Sequence, residues 1–127
     1  MTSEPRGPST APPTRILLVE DDGTLLDAYR VVLSAAGLEV ATASTAETAS
    51  ERLRDDPPDV VVVDLGLPDV SGPELVARLR REAPGAHLVV LTGRTGEEIR
   101  ARCAEAGADD FLVKPVSGSE LAEEIGG

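Results

Sequence analysis

The sequence predicts an α/β fold, five βα units built on one parallel sheet with helices on both faces, and three observations carry that prediction. From Arg15 onward, short apolar runs rich in Val, Leu and Ile alternate with segments of helical period, the order that joins parallel strands through crossover helices. Pairs with capping-box spacing, Ser44 with Glu47, Ser71 with Glu74, Thr95 with Glu98 and Ser117 with Glu120, mark helix starts shortly after four of the runs. Four runs also end on distinct polar groups: Ile16 to Val19 on Glu20, Asp21 and Asp22; Val60 to Val63 on Asp64; Leu88 to Leu91 on Thr92; Phe111 to Val113 on Lys114. In a parallel sheet those ends open onto one crevice, so residues far apart in sequence converge there.

Strands are expected near 15–20, 38–42, 59–64, 87–92 and 110–114, with helices between them. The first helix, 24–36, places Leu25, Tyr29, Val32 and Leu33 on one face and stops at Gly37. Tyr29 is therefore a core residue rather than a site residue. The second helix follows Ser44 and the third follows Ser71. His87 opens the fourth strand after Pro84 and Gly85, with no Ser, Cys or metal partner nearby in sequence, and reads as a solvated edge residue. In the fourth helix, Cys103 sits among alanines as a small packing residue. A short fifth helix, 118–125, closes the chain.

At 127 residues the chain suits one domain that needs no disulfide or structural metal. Residues 1–14 carry Pro5, Pro8, Pro12 and Pro13 and little to bury, so they read as a disordered tail before a folded unit over 15–127. A net charge of -11 argues against direct contact with nucleic acid or an anionic membrane. A single cysteine and the lack of a long apolar segment point to the cytoplasm. The expected partner is a protein.

The four strand ends assemble an acid cluster, a lone Asp, a hydroxyl and an ammonium. Glu20, Asp21 and Asp64 would lie on two adjacent ends, where like charges about 5 Å apart repel by ~3 kcal/mol at an effective dielectric of 20. A divalent cation removes that repulsion, and an oxygen-only set with open water positions selects Mg²⁺. Asp64 supplies a carboxylate nucleophile, while Thr92 and Lys114 can grip phosphoryl oxygens. Lys114 is the only lysine, so this position uses a compact point charge where every other basic side chain bar His87 is Arg.

On these residues the sequence closely resembles the receiver domain of two-component response regulators. The resemblance is carried by ILLVEDD at Ile16 to Asp22, VVVVDLGLPDVSG at Val60 to Gly72, VVLTG at Val89 to Gly93 and GADDFLVKP at Gly107 to Pro115. It implies a flavodoxin-like doubly wound sheet with strand order 2-1-3-4-5. It also implies roles: Asp64 as the acceptor of a phosphoryl group from a sensor histidine kinase or histidine phosphotransfer protein, Asp21 as a direct Mg²⁺ ligand, and Glu20 as an acid acting through water. The Gly66 carbonyl would be a third protein ligand. Lys114 and Thr92 would hold the phosphoryl oxygens, with Phe111 as the aromatic that follows Thr92 in switching, and Pro115 as a proline after a cis peptide. The phosphorylated domain then engages a downstream protein target, and the chain assists its own phosphorylation and dephosphorylation rather than acting as an enzyme.

Gly66 is smaller than the residues common two places after the acceptor, and Arg94 lies two places after Thr92, so the rim is unusual and bears on the lifetime of the phosphorylated state. Glu120, Glu123 and Glu124 stand on the fifth helix where the branch that dimerises through its last two helices has basic residues to pair with acids like Asp109 and Asp110. An unphosphorylated monomer is expected. With no output domain in the sequence, the readout is a protein contact or the chain is a fragment. Two rival readings exist. Glu20 to Leu25 reads E-D-D-G-T-L, near the DxDGTL of haloacid-dehalogenase-type phosphatases, but Glu20 stands where that nucleophile would be an Asp and Asp64 has no role there. The other is a receiver-like interaction module that works without phosphorylation.

Overall fold

The computed structural model describes residues 13–126. Its elements run β1 (Arg15–Val19), α1 (Gly23–Ala35), β2 (Glu39–Ala43), α2 (Ala46–Asp55), β3 (Val60–Asp64), α3 (Gly72–Glu82), β4 (His87–Thr92), α4 (Glu97–Ala106), β5 (Asp110–Val113) and α5 (Gly118–Gly126). All strand pairs are parallel and the order is β2-β1-β3-β4-β5, as expected. Most of the 1–14 tail lies outside the described residues. Thr14 is described, and its carbonyl accepts the N–H of Glu39 beside β2.

Successive strand residues feed opposite faces, which is why the runs are apolar without a break. Leu17, Val19, Val61, Val63, Leu88 and Val90 pack under α2, α3 and α4 through Ala49, Leu53, Leu75, Leu79, Ile99 and Cys103. Ile16, Leu18, Val60, Val62, Val89 and Leu91 pack under α1 and α5 through Tyr29, Leu33 and Leu121. Tyr29 is the core residue expected, and its hydroxyl donates to the Val116 carbonyl at 2.7 Å, tying α1 to the segment before α5. Cys103 is fully buried, as expected of a packing residue, and burial pushes its thiol pKa up.

Helix starts are where the sequence reading needs correction. Only Ser117 and Glu120 form the reciprocal capping box, with Ser117 N–H donating to Glu120 Oε1 at 2.8 Å and Glu120 N–H to Ser117 Oγ at 3.0 Å. In α2 the cap is Thr45, one residue later than Ser44, and its Oγ1 accepts from Thr48 N–H at 3.1 Å. Ser71 caps α3 by position but makes no side-chain bond. Pro73 in that first turn removes one of the two N–H groups a cap would reach. In α4 the cap is Gly96 rather than Thr95, at φ 125, a conformation that favours glycine. The first helix, for which no cap was assigned, is capped by Asp22, whose Oδ1 accepts from Thr24 and Leu25 N–H.

At the end of the sheet away from the strand carboxyl termini, Arg80 joins three segments. Its guanidinium donates to the carbonyls of Gly107 and Ala86 and to Asp109 Oδ2 at 2.8 Å. Asp109 Oδ2 also accepts from Leu88 N–H. His87 is exposed at the edge, as expected, yet it is not free of partners: Nε2 lies 2.6 Å from Asp110 Oδ2.

Candidate functional site

Parallel pairing brings the four polar strand ends to one edge of the sheet. Glu20 and Asp21 follow β1, Asp64 ends β3 next to it, Thr92 ends β4 and Lys114 follows β5. Carboxylate oxygens of Glu20, Asp21 and Asp64 all lie within 4.8 Å of one another. Lys114 Nζ sits 3.2 Å from Glu20 Oε1 and 3.5 Å from Asp64 Oδ1. The lysine thus faces both acids, and the nearer is the buried Glu20.

Glu20 is only 2 % exposed. Burial raises its pKa, and the neighbouring Asp64 charge adds to this, while the Asp22 N–H and Lys114 act in the opposite sense. The Asp22 N–H donates to Glu20 Oε2 at 3.2 Å, so the residue that caps α1 also supports the acid before it. Burial works to lower the Lys114 pKa, but the bond to Glu20 and the charge of Asp64 outweigh it and leave the ammonium above its ordinary value.

Thr92 is buried at 2 % exposure, and its hydroxyl accepts from the Arg94 N–H at 3.1 Å. Its carbonyl accepts the Lys114 N–H at 2.7 Å, which locks the two phosphate-gripping candidates together through backbone. Gly66 borders the acid cluster: a Cβ built on it would lie 3.8 Å from Asp64 Oδ2. Phe111 is half-buried against the α4 side of the core, with the Arg100 guanidinium carbon 4.9 Å from its ring centroid. The Lys114–Pro115 peptide is cis, as the resemblance implied.

Two contacts were not assigned a role from the sequence. Asp22 could have been found as a cap, since D-G-T at the end of a strand has that signature. Asp69, in the β3–α3 loop, accepts from Ala46 N–H at 2.9 Å and Glu47 N–H at 3.1 Å, more than twenty residues away, and no local pattern reports that. The donor set itself fits a hard divalent cation: three clustered carboxylates with neither His nor Cys among them.

Comparison with known proteins gives the same answer as the geometry. The family model described as response regulator receiver domain matches residues 16–126. The transcriptional regulatory protein KdpE of Mycobacterium tuberculosis is 39% identical over 112 residues, which are 88% of this chain and 49% of that protein. The phosphate regulon transcriptional regulatory protein PhoB of Rhizobium meliloti is 40% identical over 113 residues, 87% of this chain and 50% of that protein. The chain therefore spans about half the length of the curated relatives it matches. A crystal structure of a CheY-like response regulator receiver domain protein from Methanospirillum hungatei superposes with a TM-score of 0.84 at 32% identity, covering 90% of this chain and 91% of that one.

Proposed function

Because the chain belongs to the response regulator receiver domain family, we propose that it takes a phosphoryl group onto Asp64, with Mg²⁺ held by Asp21, Asp64 and the Gly66 carbonyl and by Glu20 through water. The observation that carries this reading is the convergence of three carboxylates and Lys114 on the strand ends that bear Asp64 and Thr92. An Asp64 oxygen attacks phosphorus of a phosphohistidine on a sensor kinase or phosphotransfer protein. The new O–P bond forms as the P–N bond breaks, and the imidazole leaves with the bonding pair. Glu20, Asp21, Asp64 and the Gly66 carbonyl would hold the Mg²⁺, which when bound would supply charge neutralisation to the transfer. Lys114 meets one phosphoryl oxygen as an ammonium and the Thr92 hydroxyl, once turned from Arg94, meets another. Phe111 follows that movement.

The chain accordingly acts as a cytoplasmic phosphoacceptor that assists its own phosphorylation and dephosphorylation and presents a changed surface to a downstream protein target. The receiver unit, at net charge -11, offers nucleic acid no attractive field. A phosphatase of the haloacid-dehalogenase type is disfavoured because Asp22 is committed to capping α1 and Glu20 to Lys114. The reading is tested by mass spectrometry after treatment with acetyl phosphate and Mg²⁺. One phosphoryl group is expected on the wild-type chain and none on Asp64→Asn, since an amide is a poor nucleophile. Equal labelling of both would overturn the assignment, and no labelling of the wild type would favour an interaction module independent of phosphorylation.

A further inference from the structure

We propose that Asp69 is a positioning residue for the metal site, stapling the β3–α3 loop to the first turn of α2 and thereby fixing the Gly66 backbone beside Asp64, an inference that rests on the metal-site reading above. The first turn of a helix leaves N–H groups with no partner inside the helix. In α2 these are shared between two acceptors. Thr45 Oγ1 takes Thr48 N–H, while Asp69 Oδ1 takes Ala46 N–H at 2.9 Å and Oδ2 takes Glu47 N–H at 3.1 Å. Asp69 Oδ1 also accepts from Val70 N–H at 3.1 Å, so both carboxylate oxygens are engaged and the side chain has one orientation. Those bonds, led by the one from Ala46, hold its carboxyl below the usual carboxylate range, so it remains an anion against the positive end of the helix.

The rest of the loop is held from other sides. Leu65 and Leu67 are buried in the core, and the Leu65 carbonyl accepts the Gly72 N–H at 3.0 Å, closing the loop on itself. Gly66 stands exposed between the two leucines and has no side chain of its own to anchor it. Only Leu67 and Pro68 separate it from Asp69. Proline fixes its own φ and restricts the residue before it, so this link is stiff and transmits a displacement of Asp69 to Gly66. Asp69 is thus the polar tie from this loop to α2, and its loss frees the segment that bears the expected carbonyl ligand.

Thr45 provides the control, because its hydroxyl caps the same helix by bonding to Thr48 within the first turn. The full chain would be titrated with MgCl₂ alone, followed by calorimetry and by the amide shifts of residues 64–67. Asp69→Ala is expected to weaken Mg²⁺ binding about tenfold, the low end for removing a group that orients a metal ligand. Thr45→Ala should lower the melting temperature, as the loss of a cap does, and leave Mg²⁺ affinity unchanged. Asp69→Asn, which retains one acceptor oxygen, should fall between wild type and Asp69→Ala, and it is read by the same rule if Asp69→Ala does not fold. Unchanged affinity in the Asp69 variants, or an equal loss in Thr45→Ala, overturns the positioning role. A wild-type chain with no Mg²⁺ response overturns the metal-site reading and this inference together, and that failure is visible before any variant is made.

Discussion

Lys114 faces a buried acid as well as the acceptor, 3.2 Å from Glu20 and 3.5 Å from Asp64. On the proposed function, moving the ammonium onto a phosphoryl oxygen would exchange one anionic partner for another, and that shift of partner would report the modification of Asp64. Lys114→Ala is expected to retain some labelling at Asp64 while losing the rearrangement near Phe111. The check is an NMR comparison of amide shifts in α4 and β5 with and without beryllofluoride, a phosphoryl mimic, in both proteins. Large matching shifts would show that Lys114 lies outside the switch. That Glu20, Asp21, Asp64, Thr92 and Lys114 come to one end of the sheet was legible in the sequence, because each lies where an apolar run ends and parallel pairing makes run ends neighbours. The Lys114 to Glu20 preference was not legible, since it depends on a few tenths of an ångström. Nor was His87 to Asp110, which joins strand starts whose register only the fold defines.

The inner strands β1, β3 and β4 follow from their unbroken apolar runs, which have few ways to be buried other than as inner parallel strands, whereas β2, an edge strand of sequence EVATA, carries no such run. Helix caps follow less well. The Ser117 and Glu120 box closes within its own turn, whereas α2 is completed by Asp69 from another loop, and Pro73 alters α3. Two predictions concern these elements. Asp69 has a lowered carboxyl pKa in the folded chain, so its stabilisation is present above the unfolded value of about 3.9 and is lost as pH falls through the lower folded value. Asp69→Ala should cost about 1 kcal/mol of unfolding free energy near neutral pH, a cap-sized effect screened by solvent. The gap to wild type, measured by urea unfolding, should narrow below about pH 4. A gap constant down to acid pH would mean the charge contributes nothing. The second concerns α1 against α5, where a Cβ on Gly118 would lie 2.7 Å from Val32 Cβ and 2.9 Å from both Val32 Cγ1 and Cγ2, the two atoms that alanine at 32 lacks. Gly118→Ala should destabilise by roughly 1–3 kcal/mol through overpacking, and Val32→Ala in the same chain should recover part of that. Additive losses in the double variant would show the two residues do not compete for space.

Charge decides how whole molecules meet. The chain carries 23 acidic against 12 Lys and Arg side chains, and Glu120, Glu123 and Glu124 are exposed on α5. Asp109 and Asp110 at the start of β5, acids that could otherwise reach across a two-fold axis, already have partners within the chain in Arg80 and His87. A two-fold contact through α4, β5 and α5 would set α5 acids near their own copies, and like charges facing across an interface cost several kcal/mol. The unphosphorylated chain is therefore expected to scatter light as a monomer at low ionic strength. Salt screens such repulsion beyond about a Debye length, so any self-association should strengthen as salt is added. Replacing Glu120, Glu123 and Glu124 together by Gln should move that onset to lower salt. A stable dimer at low salt, or one that salt dissociates, would show that attraction between copies outweighs the acidic helix.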